Sequence, residues 1–159
     1  MKITAATCFF VLFLPFMLGG CRKKETGNPV PEIIFQELIP QTLRGGSSED
    51  TAYLSFRFHD GDGDLGNDIG SGNYDIYLID SRDNSETGFY LPQIPDETRD
   101  ASNGLKGTCT LILPAAYILP RQDSIHLLLG DTLQYEVYLK DRAGHESNRF
   151  TTPTIYLTP

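Results

Sequence analysis

Residues 51–59, TAYLSFRFH, decide the fold class because their side chains alternate in polarity along the whole stretch. Leu54, Phe56 and Phe58 share one parity, while Tyr53 and the polar residues share the other. Successive side chains of a β-strand point to opposite faces, so this period of two predicts a strand with one buried and one solvated face. Such strands are typical of antiparallel sheets that cover a core with one side only.

Outward from this stretch the same pattern recurs, punctuated by glycine, proline, asparagine and aspartate. Short runs rich in β-branched and aromatic residues predict further strands at 33–39, 74–79, 88–91, 107–113, 125–129, 133–139 and 150–157. No segment keeps helical spacing for three turns, and residues 115–119, between two prolines, allow one turn at most. Seven or eight strands at this spacing predict an all-β, antiparallel β-sandwich.

The alternating run at 133–139 resembles a strand of known sandwich domains. Leu133, Tyr135, Val137 and Leu139 alternate with other residues, and the run resembles the penultimate strand of immunoglobulin-like and fibronectin-III-like domains. Tyr135 is either a tyrosine corner or an ordinary half-buried strand tyrosine. The Cys…Trp…Cys signature of true immunoglobulin domains is absent, since the sequence has no tryptophan. The resemblance implies an immunoglobulin/fibronectin-III-like sandwich of 7–8 strands.

The first 21 residues, MKITAATCFFVLFLPFMLGGC, have the plan of a secretory signal peptide. Its apolar run is too short to span a bilayer as a mature helix. The ending LGGC at 18–21 resembles the lipobox of bacterial lipoproteins. That resemblance implies cleavage before Cys21 and acylation of its thiol with diacylglycerol and then of its amino group, and two or three acyl chains give stable anchoring. The alternative is an ordinary signal peptide with a chance cysteine.

These features divide the chain into a lipoprotein signal peptide at 1–20, a lipidated flexible tether at 21–31 and a β-sandwich domain at 32–159. The tether is polar and holds a glycine and two prolines. Cys8 leaves with the signal peptide, so Cys109 is the single cysteine of the domain and no disulfide forms there. Its strand-like surroundings indicate a small buried residue and not a nucleophile.

The mature chain is strongly acidic. From residue 21 onward it has 12 basic and 21 acidic residues, a formal charge of −9. Such a surface repels phosphate backbones, so we expect no nucleic-acid partner. Arg22, Lys23 and Lys24 stand beside Cys21, where they either meet anionic headgroups or form a plain solvated linker. No acidic run follows Cys21, which favours the periplasm-facing side of the outer membrane over surface export.

Residues 59–68, HDGDGDLGND, place four carboxylates directly after the first strand discussed above. Counted from Asp60, they fall at positions one, three, five and nine as Asp60, Asp62, Asp64 and Asp68. Odd positions on a loop bent by glycines direct side chains toward one centre, and oxygen ligands without histidine or cysteine favour Ca²⁺. The spacing resembles thrombospondin-type and integrin-type calcium loops, although Leu65 stands where those have glycine.

A solvated turn is the alternative interpretation of this loop. The loop does not match the EF-hand pattern, because position twelve is Ser71 and not a bidentate glutamate. Against the turn, four carboxylates so close together repel one another by up to roughly 1 kcal/mol per pair in water. In an immunoglobulin-like strand order the loops after 51–59 and after 132–140 share one end of the sandwich. Asp141 is therefore a fifth candidate ligand, and Arg142 could instead pair with the aspartates.

Two longer motifs extend the likeness over most of the mature chain. Residues 55–66 end in DGDGDLG, and residues 135–148 read YEVYLKDRAGHESN. Together they resemble a family of small Bacteroidetes lipoproteins with a DGDGDLG or DGDGDIG loop and a late VYxxDRAxxxSN segment. The resemblance implies a lipid-anchored domain of the cell envelope and no particular activity.

A shorter pattern, aspartate followed by a hydroxyl residue and an apolar one, occurs around Thr51, Ser124 and Thr132. It resembles the O-glycosylation sites of exported Bacteroidetes proteins. The alternative is that Asp-Ser and Asp-Thr open a strand after a turn. A glycan at these sites would leave the function of the domain undefined.

The sequence holds no GxSxG, GxxxxGK[ST], GxGxxG or paired-cysteine motif, and its three histidines share no ligand spacing. It predicts a non-enzymatic, lipid-anchored envelope lipoprotein, a binding or envelope-assembly module whose partner is an envelope protein or glycan. The alternative is an envelope hydrolase or accessory enzyme that acts on glycan or peptide through its loop carboxylates. An aromatic patch would favour binding, with Tyr74, Tyr77, Phe89 and Tyr90 as candidates.

Overall fold

The computed structural model describes residues 27–92, 94 and 104–159, so the predicted signal peptide and Cys21 lie outside the described residues. Strands dominate this part of the chain, which confirms the all-β prediction. One α-helix, α1 (Ser124–Leu129), and one 3₁₀ turn (Ala115–Tyr117) interrupt them. The strands are, in chain order, β1 (Glu32–Ile39), β2 (Thr42–Arg44), β3 (Thr51–Asp60), β4 (Ile76–Asp80), β5 (Glu86–Phe89), β6 (Leu105–Pro114), β7 (Asp131–Leu133), β8 (Tyr135–Leu139), β9 (Phe150–Thr151) and β10 (Ile155–Thr158).

The strands form three sheets. One has the order β1-β3-β6, a second the order β5-β4-β8-β9, and a small third sheet the order β2-β10-β7. All pairings are antiparallel except that of β10 with β2, which is parallel. Two pairs of consecutive strands, β4 with β5 and β8 with β9, are neighbours in one sheet, whereas the connections from β3 to β4 and from β5 to β6 cross between the two larger sheets.

Both larger sheets turn one face toward a single hydrophobic core. In β3, Ala52, Leu54 and Phe56 are fully buried, whereas Tyr53 on the opposite face is 46% exposed, as the alternation predicts. Inward residues of the other strands complete this cluster: Ile76, Leu78, Leu111, Leu113, Val137 and Leu139. The described strands and core residues all lie between 32 and 158, so the described part of the chain contains its own hydrophobic core.

Residues 125–129 form α1, so the strand predicted there is wrong. The Asp123 carboxylate accepts hydrogen bonds from the N–H groups of Ile125 (3.1 Å) and His126 (3.0 Å), and Gly130, with φ 90°, follows the last turn. Aspartate at the N-cap and glycine after the C-terminus are common helix boundaries. An apolar run this short has no decisive periodicity, and no residue of α1 is buried.

Two predicted strands are each divided in two. Between β7 and β8, the Gln134 N–H donates to the Ser81 hydroxyl (2.9 Å) and not to a neighbouring strand. The chain therefore passes from the small sheet to the four-stranded one at this residue. Pro153, which has no N–H, separates β9 from β10 in the same way. β2 was not predicted, because three residues are too few to display a period.

One end of the sandwich receives the chain that leads into β1, and we call it the tether end. β3 finishes there and β6 starts there, since Glu32 pairs with His59 and Asp60 with Leu105. Residues 27–31, which the composition assigned to the tether, lie against the domain at this end. The opposite end, which carries α1, is the far end.

Gly61 fixes the contact between residues 27–31 and the domain. Its N–H donates to the Asn28 carbonyl (3.1 Å), and a Cβ on Gly61 would overlap the Asn28 backbone. Pro31 is buried as well. A residue with a side chain at position 61 would separate the two segments, so glycine is required for this close approach.

Candidate metal centre

Three aspartates from two loops meet at the tether end. Asp60 is the last residue of β3, Asp64 lies in the loop that follows, and Asp141 comes two residues after the end of β8. One carboxylate oxygen of each lies within 4.8 Å of those of the other two. Asp60 has no exposed surface and Asp141 is 3% exposed. This buried acidic triad could hold a metal ion, since a cation offsets the cost of burying carboxylates together.

The first two members each keep one oxygen without a partner. Asp60 Oδ2 accepts the Leu65 N–H (3.0 Å), and Asp64 Oδ2 accepts the Ala143 N–H (3.1 Å). Both Oδ1 atoms are buried and accept no hydrogen bond within the described part of the chain. An unsatisfied buried oxygen costs about 1–3 kcal/mol or more when charged, so two of them side by side need an explanation. A cation bound between them supplies one.

The third member is held by a tight turn. Asp141 Oδ1 accepts the His145 N–H (2.8 Å), and its Oδ2 lies 2.9 Å from His145 Nδ1. Positive backbone angles at Gly63 (φ 74°) and Gly66 (φ 99°) bend the facing loop so that buried Leu65 enters the core between them. Both loops therefore present carboxylates from a fixed backbone.

Electrostatics in the triad favour protons or cations. Burial, with the charges of Asp62 and Asp64, raises the pKa of Asp60 to about 7. Burial and the charge of Asp141 likewise raise the pKa of Asp64. The hydrogen bond to Asp141 raises the pKa of His145. Each of these groups therefore holds a proton more tightly than in an open chain.

The other predicted ligands occupy the rim or lie apart. Asp62 is exposed, yet its carboxylate is close enough to Asp60 to raise the pKa of that group. Asp68 is also exposed and does not belong to the group that meets at the centre. Arg142 pairs with none of the described aspartates; its Nε donates to the Gly66 carbonyl (2.7 Å) and so clamps the two loops together.

A fourth buried aspartate organises the loop and was not predicted. Asp75, fully buried before β4, accepts hydrogen bonds from the N–H groups of Gly66 (3.2 Å), Asn67 (2.7 Å) and Leu91 (2.8 Å). The Asn67 side-chain amide adds a fourth (2.8 Å). Its sequence neighbours, Tyr74 and Ile76, were read only as the start of a strand. Asp75 is satisfied by donors and is a structural anchor of the centre.

The outer face of the four-stranded sheet carries a tyrosine cluster. Tyr77 and Tyr138, paired across β4 and β8, stack with centroids 4.8 Å apart and planes 8° from parallel. The Arg149 guanidinium lies 4.2 Å from the centroid of Tyr138, and Tyr74 contacts both Tyr77 and Tyr90. These rings contact one another and the Arg149 guanidinium, and such contacts stabilise the sheet.

Gly88 makes room for this cluster, and its substitution should destabilise the domain. A Cβ at Gly88 would overlap the Tyr74 ring, so we expect Gly88→Ala to cost about 1–3 kcal/mol in urea unfolding. In a Tyr74→Ala background the same change should be neutral or stabilising, because alanine is the better strand residue. An equal cost in both backgrounds would contradict this account.

Phe89, the remaining candidate for the predicted aromatic patch, packs against the core.

The three hydroxyl residues of the Asp-Ser/Thr pattern follow aspartates with structural contacts. Ser124 and Thr132 are exposed, and Thr51 is half-buried. Asp50 binds the Arg44 N–H (2.7 Å), and Asp123 caps α1. Asp131 accepts hydrogen bonds from two arginines. The aspartates of the pattern therefore have a role in the fold whether or not the hydroxyls are modified.

Burial raises the pKa of the half-buried Cys109 thiol to about 11, which opposes thiolate chemistry there.

Within the described ranges, the structure holds no helix with the length and apolarity that crossing a bilayer requires. Comparison with protein-family models, with curated proteins and with solved structures gave no match to the chain.

Proposed function

We propose that this chain is a non-enzymatic lipoprotein of the cell envelope, anchored through acyl chains on Cys21, whose domain is stiffened by a calcium ion and serves as a binding or envelope-assembly module. The observation that carries the proposal is the buried triad Asp60, Asp64 and Asp141, with two unpartnered oxygens, beside the chain that leads from Cys21. The partner is the membrane, together with an envelope protein or glycan.

Calcium fits the donor set better than other common metals. The three carboxylates offer only oxygen, the hard ligand that Ca²⁺ and Mg²⁺ prefer over nitrogen and sulfur. Ca²⁺ accepts irregular sets of six to eight oxygens, and the loop backbone with Asp62 at the rim offers further ones. Mg²⁺ demands a near-ideal octahedron and should bind more weakly.

The fold belongs, in our proposal, to the immunoglobulin/fibronectin-III-like group. The order β1-β3-β6 facing β5-β4-β8-β9 supports it, since it corresponds to an A-B-E sheet packed on a C′-C-F-G sheet. In that scheme the loops after β3 and β8 lie at one end, in keeping with the meeting of Asp60 and Asp141. The periplasm-facing leaflet of the outer membrane is the proposed location, because no acidic run follows Cys21.

Calorimetric titration of residues 27–159 with CaCl₂ tests the metal centre. We expect saturable binding that Asp64→Ala abolishes, because this change removes a ligand oxygen and leaves the core intact. At a calcium concentration 100 times the Kd, the melting temperature should rise by roughly 10 °C. Mg²⁺ in the same titration measures selectivity.

Asp68→Ala is the matched control, since it removes one aspartate of the same loop that lies outside the triad. It should bind calcium with nearly the affinity of the unmodified domain. Absence of heat and an unchanged melting curve in millimolar calcium would overturn the proposed metal centre.

The alternative function, an envelope hydrolase or accessory enzyme, has less support. A raised pKa on Asp60 beside another carboxylate is what a general acid needs. However, Asp60 has no exposed surface, so a glycan or peptide bond could not reach it without opening the loop. We therefore favour the non-enzymatic function.

Glycosylation of Thr51, Ser124 and Thr132 is a secondary proposal. Ser124 and Thr132 are exposed, and both lie near α1 at the far end. Glycans there would cover the exposed leucines of that helix. Intact-mass measurement of the protein from its native envelope, beside a Ser124→Ala/Thr132→Ala variant, tests this.

A further inference from the structure

The outer face of the β1-β3-β6 sheet forms a shallow concave surface at the tether end. Its volume is about 550 Å³, and Arg57, His59 and Lys106 lie on it beside Ile34 and Glu32. His59 pairs with Lys106 across the two strands, and Arg57 lies two residues before His59 on the same face of β3. We call this the basic face.

The basic face carries two exposed cations, Arg57 and Lys106, although the domain as a whole is acidic. Residues 27–159 hold 20 acidic and 9 basic residues, a formal charge of −11, so acidic partners abound. Arg44, Arg82, Arg121 and Arg149 each form ion pairs. Of the other described lysines and arginines, Arg142 donates to the Gly66 carbonyl and Lys140 is half-buried, whereas Arg57 and Lys106 are both exposed and make no ion pair with any other described residue. Two neighbouring cations left open in an acidic domain indicate an external anion.

The position of the basic face indicates where that anion lies. Glu32, the first residue of β1, is on its edge, so residues 27–31 approach the domain beside it. Arg22, Lys23 and Lys24 precede that segment by a few residues. Gly27 is the sixth residue after Cys21, a reach of at most about 20 Å. A lipid on Cys21 would therefore hold the basic face close to headgroups.

We propose that the basic face docks on the phosphate-bearing headgroups of an anionic membrane. Arg57 and Lys106 contact the phosphates, and Ile34, 57% exposed between them and the edge, meets the apolar boundary of the headgroup layer. The proposal rests on the lipid anchor of the proposed function for its setting. It adds a defined orientation of the domain, with the β1-β3-β6 sheet toward the bilayer.

Residues 27–159 test the surface without help from the anchor, because this segment lacks both Cys21 and the basic residues at 22–24. We would measure co-sedimentation with vesicles of phosphatidylglycerol and phosphatidylcholine, and with phosphatidylcholine alone, at several salt concentrations. We expect binding to the anionic vesicles only, weakening as salt rises. Arg57→Gln/Lys106→Gln should weaken it about 30-fold, from roughly five-fold per basic residue.

Lys140→Gln is the matched control, since Lys140 follows β8 in the other large sheet. Its affinity for the vesicles should stay within about two-fold of that of the unmodified domain, because it lies off the basic face. Failure to bind anionic vesicles, equal losses in the control, or full competition by millimolar inorganic phosphate would overturn the proposal. So would binding that disappears with a chelator and is untouched by the double variant, which would assign the contact to a metal bridge. A negative vesicle result beside positive calcium binding would refute the basic face alone.

Discussion

The metal-free domain should lose stability as the pH rises from 5 to 8, and calcium should restore it. The folded pKa of Asp60, about 7, lies above its ordinary value of 3.8, so the folded state binds this proton more tightly than the unfolded state. The resulting stabilisation is complete below the ordinary pKa and is lost as pH rises through 7. A shift of this size corresponds to at most about 4 kcal/mol. Urea unfolding at each pH, with chelator or with calcium, measures it.

Other groups leave the direction of this effect unchanged. The pKa values of Asp64 and His145 are also raised, so their contributions fall with rising pH in the same way. The pKa values of Asp50, Asp83 and Asp123 are lowered, so their contributions are lost only as pH falls below about 4. Between pH 5 and 8 Asp60, Asp64 and His145 therefore set the slope of stability against pH.

The Asp60→Asn variant separates the effect of pH on stability from the effect of calcium. Without calcium at pH 8 it should be more stable than the unmodified domain, because an amide replaces a buried, repelled charge of nearly the same shape. With calcium it should gain little, because a ligand oxygen has been lost. A variant that keeps the full pH slope would place the titrating group elsewhere.

Asp131→Ala should cost about 3–5 kcal/mol, the usual loss when one partner of a buried ion pair is removed. The Asp131 side chain has no exposed surface and lies 3.1 Å from Arg82 Nη1 and 2.7 Å from Arg121 Nη2. It also accepts the N–H groups of Arg121 (2.8 Å) and Thr132 (2.7 Å). These contacts hold the pKa of Asp131 well below its usual range. Urea unfolding, with hydrogen exchange at Thr132, measures the loss.

Arg121→Ala is the comparison for Asp131→Ala. The Arg121 side chain is 48% exposed, so its removal leaves Asp131 bonded to Arg82 and to two backbone donors. We expect about 1 kcal/mol or less for this change. Equal losses in the two variants would mean that the cluster does not depend on the buried carboxylate.

The sequence predicted those parts of the fold in which side chains alternate between two environments. The strand that holds Ala52, Leu54 and Phe56 was predictable because one of its faces packs on the core and the other is exposed to water. The run at 125–129 has no such contrast, since none of it is buried. Asp123 and Gly130 were the signals available there, as a helix cap and a helix stop.

The site was less accessible to sequence reasoning than the fold. Spacing treated the four loop aspartates alike, but backbone bends at Gly63 and Gly66 turn Asp64 toward Asp60 and leave Asp68 outside. Asp141, 77 residues beyond Asp64, was reached through strand order. Asp75 could not be identified, because an aspartate that anchors a loop looks the same in sequence as one in a solvated turn.

The hydrogen bond from Gly61 to Asn28 also determines how the domain responds to mechanical pulling from its N-terminal side. Tension applied through residue 27 meets this bond before it can peel β1 from β3, whose pairing starts at Glu32 and His59. Asp60, the neighbour of Gly61, belongs to the acidic triad, so an ion held there would brace the point where rupture begins. With such an ion bound, a force from the N-terminal side would meet added resistance at the first contact that it reaches.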